Sequence, residues 1–235
     1  MTAAEEVADG DAARRPVLSR DEIIDAALDL IRHQGIGAVT MRRLADEIGV
    51  TPMALYHHIP SKKQLLDLAV DRVGEHVHIA HDGRPWIDQM RDYAMSWRAE
   101  LHRFPGVAGY LLRQEAPPSM TWRVIDDAVS LLVESGFDER TAARAYAALA
   151  SYVLARCDQE EIMARHARDN APWSEERIRK LLVGAHDNVD HGRISGYLQE
   201  LSHDDHFSYT LERLLVGIDA DRGATDARPG RTSAD

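Results

Sequence analysis

The sequence predicts an all-α protein, with a small N-terminal group of short helices followed by a larger helical body. Three observations predict it. Apolar residues recur at i, i+3 and i+4 along most of the chain. Most of these runs open on a Ser, Thr or Asp and close on a Gly or Pro, the signals that start and stop helices. No apolar and polar alternation of the kind that marks a strand stands out between them.

The elements follow in order. Ser19 and Glu22 have the spacing of a capping box, and Ile23, Ala26, Ala27, Leu30 and Ile31 form the apolar stripe of a first helix. The run from His33 to Gly37 ends it. Thr40 caps a short second helix with Leu44, Ala45 and Ile48 on one face and Gly49 as its stop. Thr51 and Pro52 read as an N-cap with proline at the first helical position, opening a third helix that ends near Pro60. Ser61 with Gln64 repeats the capping-box spacing and opens a fourth helix, expected to run through about Ala80 with Leu65, Leu66, Ala69 and Val73 as its stripe. Asp82, Gly83, Arg84 and Pro85 then break the chain. Further helices are expected over 86–103, 105–114, 119–135, 138–165, 174–185 and 204–219, with Gly136 and Asp138 as stop and start signals. The stretches 166–173 and 186–203 read as loops. Residues 1–17 and 220–235 are small, polar and unperiodic, the composition of disorder. The expected organisation is an arm over 1–17, a head over 18–80, a body over 81–219 and a tail over 220–235.

Composition narrows the function. With 235 residues and 44% apolar content the chain can build a real core. No apolar run approaches the ~18–20 residues of a membrane span, and no signal-peptide pattern opens the chain, so a cytoplasmic protein with no membrane partner is expected. A single cysteine, Cys157, excludes an internal disulfide framework and a cysteine-based zinc site. His76, His78 and His81 are expected near one another at the end of the fourth helix, but no carboxylate or thiol at ligand spacing completes a tetrahedron. His203 and His206 with Asp204 and Asp205 do no better. No metal and no cofactor are therefore expected. No serine elbow or glycine-rich phosphate loop appears, and no histidine lies near Cys157 in sequence, so an enzyme is not expected.

The net charge is −11, but it is unevenly spread. Residues 1–13 carry −4, residues 14–63 carry +2 and residues 64–235 carry −9. The less acidic block coincides with the short helices. Helices two and three are each too short to be stable alone in water. They need each other and a third helix, and Leu44, Ala45, Ile48, Val50 and Leu55 can pack inward against the first. This is a helix-turn-helix, whose second helix enters the DNA major groove. With the inward positions spent, Thr51, Pro52, Met53, Ala54, Tyr56, His57 and His58 face outward with no acid among them. Tyr and His can donate to phosphate or base edges, and Met53 and Ala54 can touch thymine methyl groups. Lys62 starts the fourth helix, where free backbone N–H groups, helix dipole and lysine charge can hold one phosphate. Thr40 can do the same at the second helix, and Arg42 can read guanine bidentately. Arg14 and Arg15, on the arm, are candidates for the adjacent minor groove.

Residues 19–80 resemble the DNA-binding domain of the tetracycline-repressor (TetR) family. The likeness rests on the run from Thr40 through Lys63, above all Leu55-Tyr56, His58 and Ser61-Lys62. The resemblance implies that Thr40, Tyr56, His58 and Lys62 contact phosphate and that Arg42, Pro52, Met53 and Ala54 face bases. It continues past Trp86, Met90, Arg91 and Trp97, and through Gly136-Phe137 and Gln159-Glu160-Glu161, into a body similar to the tetracycline-repressor branch. It implies a homodimer, a double-stranded operator and release by a small hydrophobic or drug-like effector. His78 falls at a matching pocket position, but Tyr93, Tyr110 and Gln159 stand where the Asn, His and Glu of a drug–magnesium site are wanted. These replacements argue against tetracycline itself. A pocket between helices needs apolar and aromatic walls with a few polar groups. The candidates are His78, Tyr93, Trp97, Phe104, Tyr110, Trp122, Asp126 and Tyr152. An activator or ligand-independent regulator of the same fold, and a small-molecule-binding protein without DNA function, are the alternatives that the same residues allow.

Overall fold

The computed structural model describes residues 18–114, 119–169 and 202–222. Among the described residues it is all-helical. The helices are α1 (Arg20–Gln34), α2 (Met41–Ile48), α3 (Pro52–His58), α4 (Lys62–Gly74), α5 (Trp86–Arg103), α6 (Val107–Leu112), α7 (Ser119–Glu134), α8 (Glu139–Asp169) and α9 (His203–Ala220), with a 3-10 turn at Ile36–Ala38. The expected arm, the helix over 174–185, and nearly all of the loop over 186–203 and of the tail lie outside these residues.

The head is α1 packed on α2 and α4, with α3 on α2. Its starts are set by local chemistry. Glu22 N–H donates to Ser19 Oγ at 3.1 Å and Ser19 N–H to Glu22 Oε2 at 2.7 Å, so both halves of the capping box form. Thr40, Thr51 and Ser61 each accept from the N–H three residues on. At Ser61 the return bond from Gln64 does not form, so only half of that box is present. Gly49 ends α2 at φ 76°, a left-handed conformation that a side chain disfavours. Leu44, Ala45, Leu55, Ile59 and Leu65 are all fully buried, whereas Ile48 and Val50 are only partly so.

In the body α8 packs on α5, α6, α7 and α9. α5 occupies the predicted 86–103, and α8 begins behind Asp138, which accepts from the N–H groups of Arg140 and Thr141. α8 runs to Asp169, past its predicted end at 165. The expected helix over 105–114 shrinks to α6, because Gly106 takes a left-handed φ of 89°. The fourth helix stops at Gly74 rather than Ala80. Beyond it the chain extends, burying Val77 and Ile79 while His78 and Ala80 face out. Asp127 of α7 draws this segment down, accepting from Ile79 N–H at 3.4 Å and meeting His81 Nε2 at 2.8 Å. The three histidines expected on one helix therefore lie on no helix.

Head and body meet along α4, which packs on α7, and at a close joint between the 3-10 turn and the start of α6. Ile36 N–H donates to Pro105 O at 2.8 Å. Arg32 lies 5.0 Å over the Phe104 ring. Gly106 N–H donates to Glu161 Oε2 of α8 at 2.6 Å. A Cβ on Gly106 would stand 2.6 Å from Ile36 Cγ2.

A buried ion network ties α5, α8 and α9. Glu160 meets Arg98 Nη2 at 3.1 Å, His102 Nε2 at 2.9 Å and Arg156 Nε at 2.9 Å. Arg98 also reaches Asp204 of α9 at 2.8 Å. Arg156, which reads as a surface residue in the sequence, is thus drawn into the core edge by Glu160. Burial pushes the Glu160 carboxyl up, but His102, Arg98 and Arg156 outweigh it and hold it below the usual range.

Two outcomes follow for stability. Gly106→Ala adds the left-handed backbone penalty to overpacking against Ile36, so urea denaturation should show a loss of about 2 kcal/mol. Glu160→Ala takes the buried carboxylate from Arg98 and Arg156 and should cost about 3 kcal/mol in the same assay. Because the folded carboxyl is depressed, its contribution is present above the ordinary value of 4.5 and is lost as pH falls through the lower folded one. The wild-type urea midpoint should therefore fall below about pH 4.5, and Glu160→Ala should flatten that part of the profile.

Candidate nucleic-acid interface and body cavity

α3 spends Leu55 on the head core and presents the rest of its length outward. Thr51, Pro52, Met53, Tyr56, His57 and His58 are exposed and Ala54 half-buried. Met53 is 66% and Tyr56 44% exposed, high for large apolar side chains on a surface with no partner. The Thr40 and Thr51 oxygens accept capping N–H groups, which leaves each hydroxyl proton free to donate.

The cations around α3 divide into two kinds. Arg43 is hydrogen-bonded to Gln34, and Lys63 pairs with Asp67 at 2.8 Å. Arg42 and Lys62 are exposed, and among the described residues no hydrogen bond or ion pair engages either of them. Lys62 is the first residue of α4, where the orphan N–H groups and the helix dipole add to its charge. All ten residues read from the sequence as the DNA-facing set thus lie on the same short elements, and Ala54 alone is not exposed.

The body holds a cavity of about 40 Å³ between α4, α5, α6, α7 and α8. Val70, Val73, Trp97, Leu101, Val107 and Tyr146 form much of its wall. Of the eight pocket candidates only Trp97 lines it. Tyr93 stands behind, its ring 5.8 Å from that of Trp97. Tyr110 is half-buried and donates to Asp67 of α4 at 2.7 Å, and burial with Asp67 beside it pushes its phenol up. Phe104 packs at the head joint under Arg32. Tyr152 donates to Phe207 O at 2.8 Å and stacks on that ring, joining α8 to α9.

Three candidates are corrected. His78 is exposed because its segment is extended and places Val77 and Ile79 inward instead. Trp122 is 55% exposed, and Asp126 is exposed beside it, because α7 turns Ala128, Leu131 and Leu132 to the core. Sequence reasoning missed Tyr146, Leu101 and the α4 valines. The three- and four-residue spacing of Val70, Val73 and Val77 was the available signal.

His102, Cys157 and Glu160 place ligand atoms within 4.8 Å of one another. The chemistry of the set does not fit a metal. Arg98 and Arg156 already bring positive charge to Glu160, and burial pushes the Cys157 thiol up to about 12, away from the thiolate a metal needs. No helix among the described residues is long and apolar enough to cross a membrane.

Comparison with known proteins agrees with this geometry. Residues 23–69 match the family described as bacterial regulatory proteins, tetR family, and residues 80–222 match the tetracyclin repressor-like C-terminal domain. The tetracycline repressor protein class D of Escherichia coli is 31% identical over 214 residues, covering 86% of this chain and 89% of its own. ActR of Streptomyces coelicolor, solved in complex with actinorhodin, has a TM-score of 0.75 at 24% identity over 89% of this chain and 99% of its own. A TetR variant of Acinetobacter baumannii AYE in complex with minocycline has a TM-score of 0.70 at 21% identity, covering 92% and 100%. A helix-turn-helix head on a repressor-like helical body, matched by family along both parts, makes this chain a member of the TetR family of transcriptional regulators.

Proposed function

We propose that the chain is a homodimeric repressor of the bacterial cytoplasm that holds a pseudo-palindromic operator through α3 and leaves it when a small molecule occupies the body cavity. The observation that carries the DNA-binding part is the outward face of α3. It has no acid, exposes Met53 and Tyr56, and is flanked by the unengaged cations Arg42 and Lys62. Phosphate contacts from Thr40, Tyr56, His58 and Lys62 fix the register, and Arg42, Thr51, Pro52, Met53, Ala54 and His57 meet base edges.

Two further observations support the rest of the reading. α8 leaves Ala143, Ala147 and Ala148 exposed, and α9 leaves Tyr209 and Val216 exposed at 66% and 58%. Small residues beside uncovered apolar ones suit close packing against a second copy, which would set two α3 helices roughly 34–36 Å apart. α4 begins at Lys62 and lines the cavity with Val70 and Val73, so one helix touches both sites. An effector that favours a wider cavity shifts the balance between two head spacings by its differential affinity. The head then ends in the extended segment after Gly74, close to the boundary at residue 80, and the body follows.

A gel-shift titration against the DNA flanking the chain's own gene tests this. Operator binding should weaken steeply with salt through counterion release. The double variant Tyr56→Ala with Lys62→Ala should bind at least ~10-fold more weakly, with a salt slope shallower by about 1 and an unchanged circular dichroism spectrum. Undiminished binding by that variant would overturn the docking.

A further inference from the structure

The wall of the body cavity is built from helices, with one exception at the stretch that joins head to body. Among the described residues that line it, Val77 alone stands outside a helix. It belongs to the extended connection between α4 and α5, residues 75–85. A helix satisfies its own backbone groups and moves as a body. An extended segment must borrow its partners, so it can part from its neighbours without unfolding them.

The two ends of this connection are tied to the helices they join. Arg72 of α4 reaches Glu75 at 3.4 Å, and His76 Nδ1 lies 3.7 Å from Glu100 of α5. Arg84 bridges Asp82 and Asp92, and its carbonyl accepts from Gln89 Nε2 at 2.7 Å. The middle is held differently. Among the described residues, the polar contacts of residues 78–81 all go to Asp127 of α7. Ile79 N–H donates to its Oδ2 at 3.4 Å, and His81 Nε2 meets its Oδ1 at 2.8 Å. Val77 and Ile79 are buried under this clasp, and Val124, one turn before Asp127 on α7, lines the cavity beside them. The clasp is weak. The His81 and Asp127 side chains are 37% and 41% exposed, and ion pairs so open to water add little. His81 is held at φ 47°, a left-handed backbone that a side chain disfavours. Gly74, where α4 ends, and Gly83, at φ 78°, bracket the segment as points where the chain can turn.

We propose that residues 75–82 form a gate to the body cavity, which Asp127 holds shut and through which a small molecule enters. The proposal rests on the ligand-responsive reading above and supplies its way in. A space of about 40 Å³ admits a molecule of any size only when part of its wall withdraws. The clasped segment is the part that can withdraw while every helix stays intact.

Thiol labelling of the full chain with methyl methanethiosulfonate, a small neutral reagent, tests it at three places. Val77→Cys reports on the gate and Leu101→Cys on the fully buried α5 wall of the cavity. The native Cys157 lies outside that lining, and burial pushes its thiol up to about 12, so it serves as a slow internal control. Adding Asp127→Ala should speed labelling at Val77→Cys about tenfold and at Leu101→Cys about fivefold, with Cys157 unchanged, as a local opening requires. Asp127→Asn keeps an acceptor for Ile79 N–H and should give a smaller rise at both engineered sites. An unchanged rate at Val77→Cys overturns the gate. So does an equal rise at Cys157, which would mean general loosening, or a rise at Val77→Cys with none at Leu101→Cys, which would mean that the segment moves without opening the cavity. Gel shifts of the same variants without reagent report on DNA binding alone. Loss of operator binding in the unmodified chain would sink the regulator reading and leave the labelling result standing.

Discussion

A seven-residue helix cannot hold itself in water, and every property of the head follows from how α3 is held. Leu55 and the adjoining Ile59 enter a core shared with Leu44 and Ala45 of α2, Ile23, Ala27 and Ile31 of α1, and Leu65 of α4, all fully buried. Each large aliphatic side chain removed from water is worth about 1.5–3 kcal/mol, far more than the intrinsic preference of so short a helix. Thr51 and Pro52 fix where α3 starts, and Gly49 fixes the angle at which it leaves α2. The outward face is thereby determined by subtraction: whatever Leu55 does not bury is presented rigidly to a partner.

The same economy of position resolves the charge. In a chain of −11, several cations of the described residues away from α3 are neutralised where they stand. Arg72 is shared among Asp21, Asp25 and Glu75, Arg84 between Asp82 and Asp92, and Arg91 between Asp88 and Glu212. Lys63 is held by Asp67 one turn along α4, while Lys62, one residue earlier, is exposed and has no ion pair among the described residues. Exposed pairs of this kind add little stability. Their effect here is to leave Arg42 and Lys62, beside α3, without an ion pair among the described residues.

The head was almost wholly legible in the sequence because its signals are local. Ser19 with Glu22, Thr40, Thr51 with Pro52, and Gly49 each act within four residues, and the structure places each helix start or stop where they do. The body was legible in its helices over 86–103, 119–134 and from 139 on, and not in its cavity. α4 carries an apolar pattern that would continue to Ala80, yet Asp127, 48 residues beyond Ile79, captures the segment and turns it extended. His78 then faces solvent instead of the cavity. Trp122 and Asp126 fail for the same reason: which side of α7 is buried depends on where α4 and α8 lie, and periodicity gives a stripe without saying what it meets. Tyr146 sits in an alanine-rich helix, where its neighbours offer no hint of a wall.

Coupling between cavity and head has an identifiable carrier in α6. Its first turn is held by Glu161 of α8 through Gly106 N–H, and its middle is held to α4 by the Tyr110–Asp67 bond. Directly before it, Pro105 accepts from Ile36 of the head. Val107 and Leu111 on the same helix line the cavity. A ligand that spread the wall would move a helix whose three polar anchors go to three different places. One hydrogen bond is worth about 1 kcal/mol net, and useful coupling between sites is about 1–3 kcal/mol. The loss of one or two of these anchors would be of the size that such coupling needs and far below the whole stability of a domain. Asp67 receives Tyr110 and Lys63 together, so release of the tyrosine also alters the surroundings of a lysine one residue from Lys62.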